Sequence, residues 1–244
     1  MTALVTGGAS GLGRAIAGAL SQTGEHVVVA DVDGDGVAQV ADEIGGTAVT
    51  ADVTRAGDAE AMVAAATANG PLKTLVLSAA VETRTSVVDC TDDEWQRVLD
   101  VNLKGPFLCM RAAIPAMVDA GGGSVIALGS TLGLIAAPGY PAYCASKGAL
   151  VNLCKQVAIE HAGDGVRVNV VAPSAHEAGL FMKMTEQAPD PEGLRRRIAA
   201  AVPMKRLGRV DDVCQTVLFL ASDASSYISG AVIPLDGGLA ARRM

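Results

Sequence analysis

The feature that most limits the fold is an alternation running the length of the chain. Short apolar runs (residues 3–6, 26–30, 47–51, 72–77, 123–128 and 167–173) are separated by longer stretches with helical spacing. Such alternation builds a parallel sheet, because two parallel strands must be joined by a long crossover, usually a helix. Right-handed crossovers put helices on both faces and bring the carboxyl ends of the strands to one edge. The expectation is an α/β fold, a single doubly wound parallel sheet of about seven strands. No linker, repeat or low-complexity block divides the 244 residues, so one domain spans 1–244.

The first strand runs directly into Gly7-Gly8-Ala9-Ser10-Gly11-Leu12-Gly13, followed by an alanine-rich helical stretch from Arg14 to Ser21. Strand, glycine-rich turn and helix in succession form a phosphate cradle: glycines admit a close ligand, and the helix start offers free N–H groups. The second strand ends in Asp31, eighteen residues beyond Gly13, near the spacing of an acid that holds a ribose 2′-hydroxyl. That carboxylate would repel a 2′-phosphate, and Val32-Asp33-Gly34-Asp35 supplies no basic residue to counter it. The preference predicted is NAD over NADP. Asp33 and Asp35 read as turn and helix-cap residues. Gly13, Asp31, Asp52 and Ser78 all fall on the carboxyl edge of the sheet, where open α/β sheets bind ligands.

Charge and composition exclude other classes. The net charge is −7, with no basic stripe, so nucleic acid is not an expected partner. Arg195-Arg196-Arg197 is short and reads as a solvated helix face. No apolar run approaches the roughly 18 residues of a membrane span, and no leader pattern opens the chain, so a cytoplasmic protein is expected. The five cysteines form no C-x-x-C pair and read mostly as small buried hydrophobes. No metal site is expected.

The second half carries the chemistry. Thr91 and Glu94 make a capping box opening a long helix that contains Asn102, with Pro106 and Pro115 beyond. A mid-helix asparagine is mildly unfavourable and, taken alone, reads as a structural amide. Ser130 ends the fifth strand. Tyr143 and Lys147 stand four apart at the start of a helix, on one face, so phenol and ammonium can act together. A serine hydrolase fits poorly: the local string is G-S-T-L-G rather than G-x-S-x-G, and none of the three histidines has a partner motif.

Taken in order, Thr6 to Gly13 (T-G-x-x-x-G-x-G), Asn102 to Gly105 (N-L-K-G), Ser130, Tyr143 to Lys147 (Y-x-x-x-K), Arg167 to Pro173 and the closing pattern from Leu218 to Gly238 resemble a classical short-chain dehydrogenase/reductase over essentially the whole chain. The resemblance implies a Rossmann-like fold and an NAD-dependent oxidoreductase interconverting a secondary alcohol and its ketone. Tyr143 would be the general acid/base, Lys147 would lower its pKa and hold the nicotinamide ribose, Ser130 would orient the substrate oxygen, and Asn102 would anchor a relay water. Cofactor contacts would come from Gly7, Ser10, Gly11, Leu12, Gly13, Asp31, Val32, Asp52, Val53, Ser78, Ala79, Ala80, Tyr143, Lys147, Pro173, Ser174 and His176. A homotetramer is implied as well.

The chain departs from the family pattern twice. Leu77-Ser78-Ala79-Ala80 stands where N-N-A-G is common, and Ser174-Ala175-His176-Glu177-Ala178 replaces a Gly-x-Ile/Val-x-Thr pattern. These changes bear on cofactor affinity, not on the fold. His176 has two readings, a substrate-facing residue or an ordinary loop histidine. Residues 178–200 occupy the position of the substrate lid. Leu180, Phe181, Met182 and Met184, with Leu132, Leu134 and Tyr140, hint at an apolar substrate. Two alternatives stay open, an NADPH-dependent 3-ketoacyl thioester reductase and a cofactor-binding protein with little turnover.

Overall fold

A computed structural model describes residues 1–241; the last three residues of the expected 1–244 domain lie outside the described residues. Strands β1 (Thr2–Thr6), β2 (His26–Asp31), β3 (Thr47–Thr50), β4 (Leu72–Leu77), β5 (Gly123–Leu128), β6 (Val166–Pro173) and β7 (Val232–Leu235) form one sheet in the order β3-β2-β1-β4-β5-β6-β7. Every pairing is parallel. The strand order reverses between β1 and β4, which opens a crevice at their carboxyl ends.

Alternation along the strands assigns side chains to two cores. Leu4, Leu75, Val125 and Ala127 face one side, packed by Met62 of α3 (Ala56–Ala68), Leu108 of α5 (Gly105–Asp119) and Leu150 of α6 (Pro141–His161). Ala3, Val5, Val76 and Ile126 face the other, against Ile16 and Leu20 of α1 (Gly11–Ser21), Val37 of α2 (Gly34–Ile44) and Val217 of α9 (Val210–Ala221). Burial on both faces explains why these strands read as continuous apolar runs. Register brings the site together: Thr6 pairs with both Ala30 and Leu77, and Leu77 with Ala127. The segments following β1, β2, β4 and β5 therefore leave the sheet at one level.

The long helix expected around Asn102 is helical throughout but not uniform. α4 (Asp92–Leu99) starts with the Thr91–Glu94 capping box and runs into a widened turn, Asp100–Lys104, before α5. The Gly105 N–H there reaches back five residues to the Asp100 carbonyl. Such π turns concentrate at functional sites. The lid is two short helices, α7 (Gly179–Glu186) and α8 (Pro191–Ala201), with Asp190 capping the second. Arg195 departs from the expected solvated face. Its Nε donates to the buried Thr185 hydroxyl at 3.1 Å and ties α8 to α7, while Arg196 and Arg197 are exposed. No helix among the described residues is long and apolar enough to cross a membrane.

Candidate active site

One cleft of about 660 Å³ lies along the carboxyl edge. All the candidate cofactor and catalytic positions line it except Gly13 and Asn102, which stand behind its wall. Residues separated by well over a hundred positions in sequence converge there because the register levels the strand ends.

The dinucleotide end is built from backbone. Gly7 adopts φ +67°, and a Cβ there would stand 2.6 Å from the Ala79 backbone. At Gly13 a Cβ would come within 2.1 Å of the Gly7 carbonyl oxygen. The loop can turn this tightly only with glycine at both places. Ser10, at the N-cap of α1, makes no side-chain cap bond, so the first-turn N–H groups are left for an anion. This uncapped, glycine-walled helix start fits a pyrophosphate.

Asp31 leans over the same loop, its Oδ2 accepting from the Ala9 N–H at 3.2 Å and its Oδ1 from Asp33 N–H at 3.2 Å. The basic side chain on α1, Arg14, is bound to both Glu43 oxygens at 2.8 Å. Asp52 is held below the usual carboxylate range: partial burial works the other way, but two hydrogen bonds from Thr54, together with the Arg55 and Lys104 charges, outweigh it.

The two departures from the family pattern acquire physical explanations. In the 77–80 segment the Thr6 hydroxyl accepts from the Ser78 N–H at 3.2 Å and the Ala79 N–H at 3.4 Å. A side chain of β1 thus fixes this crossing without any asparagine amide. In the 174–178 segment, His176 forms a short parallel bridge with Gly208. Its ring is 3% exposed, with Nδ1 3.1 Å from the Ser174 carbonyl oxygen. A Cβ on Gly208 would lie 2.3 Å from Nε2, so the ring occupies space that glycine leaves open. Burial lowers the His176 pKa, and its charged neighbours are Asp212 and Arg206 rather than Tyr143 or Lys147.

At the other end of the cleft stand Ser130, Tyr143 and Lys147. Helix α6 begins with Pro141 at its first position, which sets Tyr143 and Lys147 on the buried face. The Lys147 Nζ donates to the Leu128 carbonyl at 2.7 Å and lies 5.7 Å from the centre of the Tyr143 ring. Complete burial brings the Lys147 ammonium down to about 8. Burial pushes the Tyr143 phenol up, the nearby Glu82 carboxylate adds to this, and the Ser130 hydroxyl works against both. Ser130 extends β5 and accepts from the Leu132 N–H at 3.1 Å.

Asn102 sits one layer back, in the widened turn. Its Oδ1 accepts from the Val81 N–H at 2.9 Å, and its Nδ2 donates to the Val81 carbonyl at 2.8 Å and the Ser146 hydroxyl at 3.2 Å. Both amide protons are spent, which leaves only the oxygens of the residue to meet a water. The amide clamps Val81 to the helix that carries Tyr143.

Sequence reasoning missed Glu82. It lies on the cleft wall near Tyr143, and burial, partly offset by Arg84, raises its pKa. Apolar lid residues Leu180, Phe181 and Met184 line the cleft with Leu132 and Tyr140, whereas Met182 and Leu134 do not.

The sequence model of a family described as "Enoyl-(Acyl carrier protein) reductase" matches residues 7–240. The 2-(S)-hydroxypropyl-CoM dehydrogenase 3 of Xanthobacter autotrophicus is 37% identical over 97% of this chain and 95% of its own. The cis-4-hydroxycyclohexanecarboxylate dehydrogenase of Sinomonas cyclohexanicum is 35% identical over 98% and 96%. Among solved structures, a putative NAD(P) dependent gluconate 5-dehydrogenase from Beutenbergia cavernae, with bound NADP, superposes with a TM-score of 0.91. It is 34% identical, over 99% of this chain and 97% of that one.

Proposed function

The chain belongs to the classical short-chain dehydrogenase/reductase family of oxidoreductases, and from that premise we propose that it interconverts a secondary alcohol and its ketone with NAD. The observation that carries the proposal is the convergence of Ser130, Tyr143 and Lys147 at the apolar end of the cleft that holds the glycine loop at its other end.

The glycine loop from Gly7 to Gly13 would hold the pyrophosphate, Asp31 and Val32 the adenosine ribose, and Asp52, Val53 and Ser78 to Ala80 the adenosine flank. Tyr143, Lys147, Pro173, Ser174 and the main chain at His176 would surround the nicotinamide. The bound nicotinamide supplies the hydride acceptor or donor. The work of the protein is proton management. Ser130 orients the substrate oxygen beside Tyr143, which gives or takes the proton. In the free enzyme burial and Glu82 keep the phenol protonated, a state suited to protonating a ketone oxygen as it becomes an alkoxide. Oxidation needs the phenolate, which the Lys147 ammonium and the positive charge of an oxidised cofactor both favour. Asn102 is a positioning residue, acting through Val81 and Ser146.

The selectivity for NAD rests on Asp31 together with the commitment of Arg14 to Glu43, which leaves no cation on α1 for a 2′-phosphate. Exposed Trp95, Phe107 and Ile159, on α4, α5 and α6, support pairing of those helices in a tetramer. The deciding measurement is the appearance of reduced cofactor at 340 nm with a panel of secondary alcohols, run with NAD and with NADP. Turnover with NAD favoured at least tenfold is expected, and Asp31→Ser should shrink that preference by roughly tenfold. Absence of turnover across the panel would overturn the proposal.

A further inference from the structure

Glu82 is the one carboxylate among the described residues whose charge acts on Tyr143, and beyond holding that phenol protonated it has no task in the reaction. It is half-buried, and no hydrogen bond or ion pair reaches it among the described residues. Its wall is shared: Glu82 and Met184 line the main cleft and also a second chamber of about 570 Å³ under the lid, bounded by Arg84, Gln187 and Leu194. The Arg84 guanidinium, 5.3 Å above the Tyr140 ring, acts on Glu82 through space but makes no hydrogen bond or ion pair with it. A half-buried carboxylate on a cleft wall keeps part of its hydration, so a ligand that displaces that water must replace its hydrogen bonds.

The charges around it narrow what can arrive. Glu82 disfavours an anion at its own position, while Lys183 on the cleft and Arg84 on the chamber offer an anion cations elsewhere. A cationic one would approach the buried Lys147 ammonium and, in the oxidation direction, the positive nicotinamide. A neutral group that donates a hydrogen bond meets neither objection, and next to a reacting carbinol the simplest such donor is a second hydroxyl.

We propose that Glu82 is a specificity residue that accepts a hydrogen bond from a second hydroxyl of the substrate, so that the enzyme takes polyhydroxylated alcohols in preference to simple ones. This rests on the reading of the cleft as an alcohol dehydrogenase site and names the substrate class of that site. The second hydroxyl lies on the Glu82 side of the carbinol, toward the chamber under the lid.

The test compares cyclohexanol and trans-1,2-cyclohexanediol as substrates of the wild type, Glu82→Gln and Glu82→Leu. The wild type should favour the diol over cyclohexanol in kcat/KM. In Glu82→Leu the ratio of diol to cyclohexanol should fall roughly tenfold or more, chiefly through a higher KM for the diol. Glu82→Gln, of the same shape, should lose less. A diol-to-cyclohexanol ratio that stays within about twofold in Glu82→Leu would overturn the proposal.

A second readout needs no turnover. Saturation-transfer NMR should detect tighter binding of the diol than of cyclohexanol to Tyr143→Phe, and that advantage should vanish in Tyr143→Phe/Glu82→Leu. Equal binding of the two ligands to Tyr143→Phe would overturn the inference. A diol advantage that Glu82→Leu removes would sustain it even if no alcohol were oxidised, an outcome that would instead count against the proposed reaction.

Discussion

The two walls of the cleft are built on opposite terms. On the catalytic side nearly every polar group has an internal partner: Lys147 bonds the Leu128 carbonyl, Asn102 is spent on Val81 and Ser146, and Ser130 accepts from Leu132 N–H. On the adjoining wall Glu82 has none among the described residues, and Arg84 lies over the Tyr140 ring. The first wall is fixed before any ligand arrives, as groups that stabilise a developing charge must be. The second leaves its polar groups for the ligand to satisfy. Reaction chemistry therefore belongs to one wall and substrate choice to the other, and substitutions should fail differently on the two sides.

The sharpest break is Tyr143→Phe. It removes a single oxygen from a residue that is 9% exposed and keeps the ring that packs 6.3 Å from Tyr140. Turnover should fall by about a thousandfold or more, the range of a lost general acid/base. Affinity for reduced cofactor, followed by fluorescence titration, should change by less than about threefold. Retention of more than a tenth of the wild-type kcat would move the proton chemistry away from Tyr143.

The same division marks what was legible in the sequence. Strand alternation, the glycine loop and the Tyr143–Lys147 spacing are local patterns, and each maps onto the fold within a residue or two. The widened turn at Asn102 was not legible, because helical periodicity runs through it and only an asparagine in mid-helix hints at it. Three more features depend on contacts that no local pattern encodes. The Thr6 hydroxyl serves Ser78 and Ala79, some seventy residues away. Arg195 turns inward to Thr185. Glu82 acts on Tyr143 from the segment next to Val81, which Asn102 holds by two hydrogen bonds. A motif reports chemistry that many substrates share, so it reports the catalytic wall and not the adjoining one.

A second, smaller effect tests the cost of preorganising that wall. Burial brings the Lys147 ammonium from an ordinary 10.5 to about 8, so between those values the unfolded chain binds a proton that the folded chain does not. Stability must rise with pH across that window, and below about pH 8 the penalty is complete, roughly 3 kcal/mol for a shift of this size. Lys147→Met lacks the titration, although it leaves the Leu128 carbonyl unpaired by a constant amount. The stability of wild type relative to Lys147→Met, from urea unfolding at several pH values, should therefore be lowest at pH 7–8 and improve steadily toward pH 10.5. A difference that stays flat over that interval would mean that the ammonium is better solvated than its burial implies.

The smallest effect falls on His176, where the cleft meets the protein interior. Its ring packs on Gly208, its Nδ1 lies against the Ser174 carbonyl, and burial keeps it neutral near pH 7. A valine would keep part of the apolar packing but lose the ring's volume and the polar contact. His176→Val should therefore lower stability by roughly 1–2 kcal/mol, the scale of a small cavity plus one hydrogen bond. Its kcat and substrate KM should stay within about twofold, because the ring's charged neighbours are Arg206 and Asp212 and not the catalytic pair. A tenfold loss in kcat/KM without a matching fall in melting temperature would make His176 a substrate contact. It would also extend the wall that reads the substrate from Glu82 round to the end of β6.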